Sequence, residues 1–175
     1  DGSDELTGGS GNDKFVFAAF ASDNGNEITD FTAGGSDDQI NGLDSQVVVG
    51  TDIGNAAAFY ENEINGSAVT ANNGFEVVAD GSGNGNTAES LSTTDVAAFL
   101  ADVDGDGNQF QFNSNANDST IFLAVSDGTD TGIFAAVESA TNSGVIDAAE
   151  LTEVITLSGV SDPTSLTAAD LDGFS

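Results

Sequence analysis

The chain has 175 residues, enough for one domain with a core of its own or two small modules sharing one. Thirty carboxylates face one basic residue, Lys14, giving a formal net charge of −29; such a surface repels nucleic acid and anionic membranes and excludes both as partners. With no Cys and no His, disulfides, thiolate metal sites, a Cys nucleophile, the usual zinc ligand and the usual general base are excluded as well.

Thirty-eight per cent of the residues are apolar and twelve are Phe, so a core can be built from Phe, Val, Ile, Leu and Ala. Runs such as Thr120 to Val125 and Phe75 to Ala79 argue against a disordered acidic tail. No apolar run approaches the roughly 20 residues of a membrane helix, which predicts no membrane insertion. A salt-adapted surface is the competing explanation of the charge. It predicts evenly spread carboxylates with Glu prominent on helices. Here Asp outnumbers Glu about two to one and gathers in Gly- and Asn-rich loops. Hard cations select for that arrangement, because short carboxylates and backbone carbonyls converge on one point.

In chain order, the first motif is Gly8 to Val16, GGSGNDKFV, which fits the nonapeptide G-G-x-G-x-D-x-U-x at every specified position. Nine residues earlier, Gly2, Asp4 and Leu6 fall on the fourth, sixth and eighth positions of the same template. The expectation is a chain that opens in mid-repeat. Gly9 and Gly11 let the backbone turn and point carbonyls inward, Asp13 adds charged oxygens, and Phe15 starts a strand packed on the core. Each unit makes half a coil, so loops on one side recur every eighteen residues with a calcium ion between them. On that spacing Asp23 pairs with Asp4, nineteen residues on, and Asp30 with Asp13, seventeen on. No third Gly-Gly repeat follows at the nine-residue spacing, so the roll is expected to end here.

GGSGNDKFVF, EITDF (Glu27 to Phe31) and GGSDDQINGLD (Gly34 to Asp44) together resemble the end of an RTX, or haemolysin-type, β-roll and its cap, as in serralysin-type C-terminal domains. The resemblance covers residues 1 to 44. It implies calcium binding, export by the type I secretion machinery and folding outside the cell. It does not bring the protease, whose zinc motif needs His.

Further along, Asn55 to Tyr60 and Thr94 to Ala101 have helical character, the second with a Thr cap and apolar Val96, Phe99 and Leu100. Phe75 to Ala79 reads as a strand, and Asp80 to Asn86 as a Gly/Asn loop, with a flexible connector as the simplest role. Asp102 to Gly107, DVDGDG, matches positions one, three, five and six of an EF-hand loop. The twelfth position is Asn113 instead of Glu, and Gln-Phe-Gln-Phe continues as a strand. Two readings stand: a non-helical calcium site with Asp102, Asp104, Asp106 and the Asn108 carbonyl as ligands, or an Asp-Gly turn without metal.

Thr120 to Val125 and Ile133 to Val137 flank Asp127-Gly128-Thr129-Asp130, a hairpin signal. Ser139 to Glu150 carries a second EF-like trace, but Ser139, Thr141 and Ser143 stand where Asp is needed. The favoured reading there is structural: Asp147 caps a short helix, Glu150 completes a capping box, and Leu151, Val154 and Ile155 form the apolar face. The last segment, VITLSGVSDPTSLTAADLDGFS, resembles the uncleaved tails of type I secretion substrates.

The expected fold is therefore mainly β: the end of a parallel β-roll in residues 1–46, then a β-sandwich-like module with a few short helices in 47–175, secretion tail included. The expected cofactor is calcium, and no enzyme activity is expected. Paired-carboxylate glycoside hydrolysis needs neither His nor Cys, but the aromatic platforms usual in such sites are missing, with no Trp and one Tyr. An adhesin gripping sugar or peptide through calcium is a third class. The leading expectation is a calcium-binding structural protein, extracellular or at the cell surface, forming a calcium-dependent homo-oligomer or homopolymer. The alternative is the C-terminal folding and secretion module of a larger exported enzyme or adhesin.

Overall fold

The computed structural model describes residues 2–21, 24–34, 37–47, 58–64, 69–70, 74–82, 85–111, 119–138 and 144–174. The fold is mainly β. In chain order the strands are β1 (Glu5–Leu6), β2 (Lys14–Val16), β3 (Asn26–Ile28), β4 (Gln39–Asn41), β5 (Ala58–Ile64), β6 (Val69–Thr70) and β7 (Gly74–Asp80). One helix, α1 (Thr93–Ala101), precedes β8 (Phe110–Gln111), β9 (Thr120–Ser126), β10 (Thr131–Val137), β11 (Leu151–Leu157) and β12 (Leu171–Asp172). Seven strands form a mixed sheet in the order β1-β3-β11-β10-β9-β7-β5. A three-stranded parallel sheet, β12-β4-β2, packs over one face, and β6 pairs with β8.

The run Thr120 to Val125 forms β9 because both of its faces are covered. Phe122 and Ala124 enter a core shared with Phe15, Ile40 and Leu171 of the three-stranded sheet. Ile121, Leu123 and Val125 enter a second core shared with Val96, Phe99 and Leu100 of α1. A strand buried on both sides reads as a continuous apolar run. The expected hairpin forms: β9 and β10 pair antiparallel, and Asp127 Oδ1 accepts from the N–H groups of Thr129 at 2.9 Å and Asp130 at 3.0 Å.

Several local expectations are corrected. The cap of α1 is Ser92, whose hydroxyl accepts from Asp95 N–H at 3.2 Å, not a Thr. Hydroxyls of Ser90 and Ser92 on the Asp95 carboxylate hold that group below its ordinary range. Of the helix expected at Asn55 to Tyr60, the described part, 58–60, lies in β5, paired in parallel with β7. The reciprocal Asp147–Glu150 contact is present, with Asp147 N–H donating to Glu150 Oε2 at 3.0 Å, but it bounds only a three-residue 3-10 turn. The helix expected beyond it is β11. Its helix-like spacing of Leu151, Val154 and Ile155 comes from a bulge, where pairing with β10 shifts register between Ile133 and Phe134. The extra residue puts Val154 and Ile155 both inside.

The β-roll is also corrected: the described residues form no solenoid of eighteen-residue coils. Leu6 and Phe15, nine residues apart, do fall in the two opposed sheets, as half-coils should. The next parallel partners lie farther on, however. Leu6 pairs with Ile28 and Phe15 with Ile40, spacings of 22 and 25 residues. The longer connections carry Phe17 and Phe31 into the core and pack the half-buried Phe20 against it, and burial stabilises by roughly 1.5–3 kcal/mol for each fully buried Phe. A third layer comes from the far end of the chain, where β11 pairs with β3 and β12 with β4. Strands from both sides of residue 46 thus share sheets and one core. The segment expected to be a secretion tail supplies Leu157, Val160, Leu166, Leu171 and Phe174 to that core.

Candidate metal-binding loops

The first candidate is the loop from Gly8 to Asp13. Gly9 and Gly11 adopt φ of +95° and +126°, a region L side chains avoid. Gly8 is required for space: a Cβ there would lie 2.7 Å from Asp13 Oδ2. The Asp30 carboxylate arrives at the same glycine from the neighbouring layer, accepting from Gly8 N–H at 2.9 Å and Gly9 N–H at 2.7 Å. Asp13 and Asp30, the pair expected from spacing, therefore do converge, on Gly8. Asp30 is satisfied by two amides, whereas Asp13 Oδ2 is buried with no hydrogen-bond partner among the described residues.

The other expected pair is placed differently. Asp4 is exposed, its N–H donates to Asn26 Oδ1 at 3.1 Å, and Gly2 turns beside it with φ +109°. Asp23 lies outside the described residues.

Two carboxylates that the sequence reading missed complete this architecture. Asp38, 5% exposed, accepts from Asp13 N–H at 3.0 Å and Thr32 N–H at 2.9 Å. Asp170, fully buried, accepts from Gly34 N–H at 3.2 Å and Thr167 N–H at 2.7 Å. Each joins one layer of parallel strands to the next. The signal for Asp38 was the recurrence of Gly-Gly-Ser at residues 34–36, followed by an Asp two positions before Ile40 as Asp13 stands two before Phe15; Asp170 follows no such repeat. Lys14 and Asn41 both donate to Asp172 across the three-stranded sheet. The Lys14 and Asn41 bonds hold the Asp172 carboxyl below its ordinary range.

In the DVDGDG loop, Asp104 is 1% exposed. Its Oδ1 accepts from Asp106 N–H at 3.0 Å and Asn108 N–H at 3.3 Å, and its Oδ2 accepts from the Asn108 side-chain amide at 2.7 Å. Asp102 Oδ1 accepts from Gly107 N–H at 2.7 Å, and the Asn108 backbone carbonyl accepts from Val103 N–H at 2.9 Å. Asp106 is exposed. These are the bonds of a self-capped Asp turn, and they occupy Asp104 more fully than Asp102. Asn113 lies outside the described residues.

Next to it, Asp80 organises the loop expected as a connector. It accepts from Ser82 N–H at 2.8 Å, from the Ser82 hydroxyl and from Asn86 N–H at 3.0 Å. Burial pulls its pKa up, but these bonds and one from Gly85 outweigh it, and the net shift is downward. Asp80, Asn86, Thr87, Phe99 and Pro163 line a cavity of about 150 Å³.

Among the described residues no group of three or more acidic side chains has the spacing of a ready-made metal site. No described helix is long and apolar enough to cross a membrane. Compared with known protein families, curated proteins and solved structures, the chain matches none.

Proposed function

We propose that the protein is a secreted, calcium-binding structural protein of an extracellular assembly such as a surface layer, matrix or filament, and that it is not an enzyme. The observation that carries this reading is the meeting of Asp13 and Asp30 at Gly8, with Asp13 Oδ2 unpartnered among the described residues. An oxygen-only loop of this kind suits a hard cation, and Lys14, the sole basic side chain of the sequence, is engaged with Asp172. Calcium held at Asp13, next to the Gly9–Gly11 turn, supplies the missing counter-charge. Binding energy of an ion taken up only by the folded state adds to folding stability. The DVDGDG loop is a second, weaker site, taking calcium through Asp102 and exposed Asp106.

Assembly follows from edges and charge. β1 and β2 are edge strands of the two sheets on the same side of the stack, and an open edge invites a further strand. Glu5 lies directly beside Glu27 in the parallel ladder, where like charges repel. Divalent ions bridging such carboxylates turn repulsion between copies into adhesion. The same open edges suit further repeats of one longer chain, which supports the alternative of a C-terminal module in an exported enzyme or adhesin. Electron microscopy and mass measurement in calcium, then in chelator, separate the two. Ordered assemblies that disperse in chelator support the structural reading; dispersed monomers in both leave the module reading.

A further inference from the structure

Glu138 follows β10 and is 1% exposed. Its N–H donates to the Ser119 carbonyl at 3.0 Å, which anchors its backbone. Both carboxylate oxygens, Oε1 and Oε2, are buried without a hydrogen-bond partner among the described residues. The group that faces it electrostatically is another carboxylate, Glu150 of the 3-10 turn, itself 8% exposed. Glu150 is held in place by Asp147 N–H.

A buried carboxylate with no donor, beside a second carboxylate, is strongly unfavourable when ionised. Elsewhere in this fold the buried Asp38, Asp104 and Asp170 meet the same demand with backbone amides. No basic side chain can help, since Lys14 lies at Asp172. Once ionised, Glu138 needs a counter-charge that no basic side chain supplies.

We infer that Glu138 and Glu150 form a site for a hard divalent cation, with Glu138 contributing both oxygens and Glu150 one. Two carboxylates cancel the charge of one such ion, and bidentate Glu is an established calcium-ligand geometry. The site is separate from the Gly8–Asp13 loop and does not depend on it. Burial, then repulsion by Glu150, raises the Glu138 pKa to about 7.

Calcium titration by calorimetry at pH 8, on chelator-treated wild type, Glu138→Gln, Glu150→Gln and Asp13→Asn, tests the inference, with circular dichroism as the check on folding. The expected result is that Glu138→Gln and Glu150→Gln each lose one and the same equivalent of bound calcium, while Asp13→Asn keeps that equivalent. Unchanged stoichiometry and affinity in folded Glu138→Gln or Glu150→Gln would overturn it, as would wild type that takes up no calcium. Loss in Asp13→Asn alone would overturn it while leaving the loop reading standing.

Discussion

The Asp13 carboxylate lies so close to Gly8 that a Cβ on Gly8 would sit 2.7 Å from Asp13 Oδ2. That contact explains why the repeat needs Gly at its first position as well as at the positive-φ positions. Gly8→Ala should displace the Asp13 carboxylate and weaken calcium binding at this loop about tenfold or more, a change equivalent to ~1.4 kcal/mol. Calorimetric titration checks it, and unaltered affinity would mean that Asp13 is not a ligand.

Asp13→Ala should impair calcium binding, whereas Asp127→Ala should leave it intact. Asp127 caps the β9–β10 hairpin through Thr129 and Asp130, so its loss costs stability of about 0.5–2 kcal/mol by analogy with other capping side chains. Comparing calcium affinity with the denaturation midpoint for the two variants separates the roles. Equal calcium affinity would make the repeat vestigial.

Glu138 gives the fold a pH dependence with a definite sign. Its folded-state pKa is raised from 4.5 to about 7, first by burial and then by Glu150. Between those values the folded state holds more protons than the unfolded state, so this contribution to stability falls as pH rises through that window. In chelator, the melting temperature should decline from about pH 5 to pH 7.5, and Glu138→Gln should flatten the decline. Asp80, whose pKa is lowered, acts in a separate range, losing its contribution only as pH falls below the ordinary Asp value of 3.8.

Phe174→Ala should lower stability by about 3–5 kcal/mol, the usual cost of emptying a buried Phe site. Phe174 is 2% exposed and meets Phe75 edge-on at 5.6 Å between ring centres. Urea denaturation measures the change. A loss under 1 kcal/mol would mean that the terminal segment is not part of the cooperative core.

What was legible in the sequence was local. Asp-Gly at 127–128 between two apolar runs specified the hairpin, and the nonapeptide placed Leu6 and Phe15 in opposed sheets. Spacing also brought Asp30 to the loop that holds Asp13. Layer spacing was not legible, because register is fixed by packing of Phe17, Phe20 and Phe31 in the connections and by strands arriving from residues 151–172. A bulge likewise disguised β11 as a helix. Glu138 carried no motif; only its burial and the lack of a partner among the described residues single it out.

If calcium supplies the counter-charge of this fold, its removal must cost stability. Thermal unfolding at pH 7.5 in about 1 mM calcium, within the range of extracellular modules, against the same protein in excess chelator, tests it most directly. Chelation should bring a large fall in melting temperature, reversed by calcium but not by an equal ionic strength of sodium chloride. An unchanged melting temperature would contradict it.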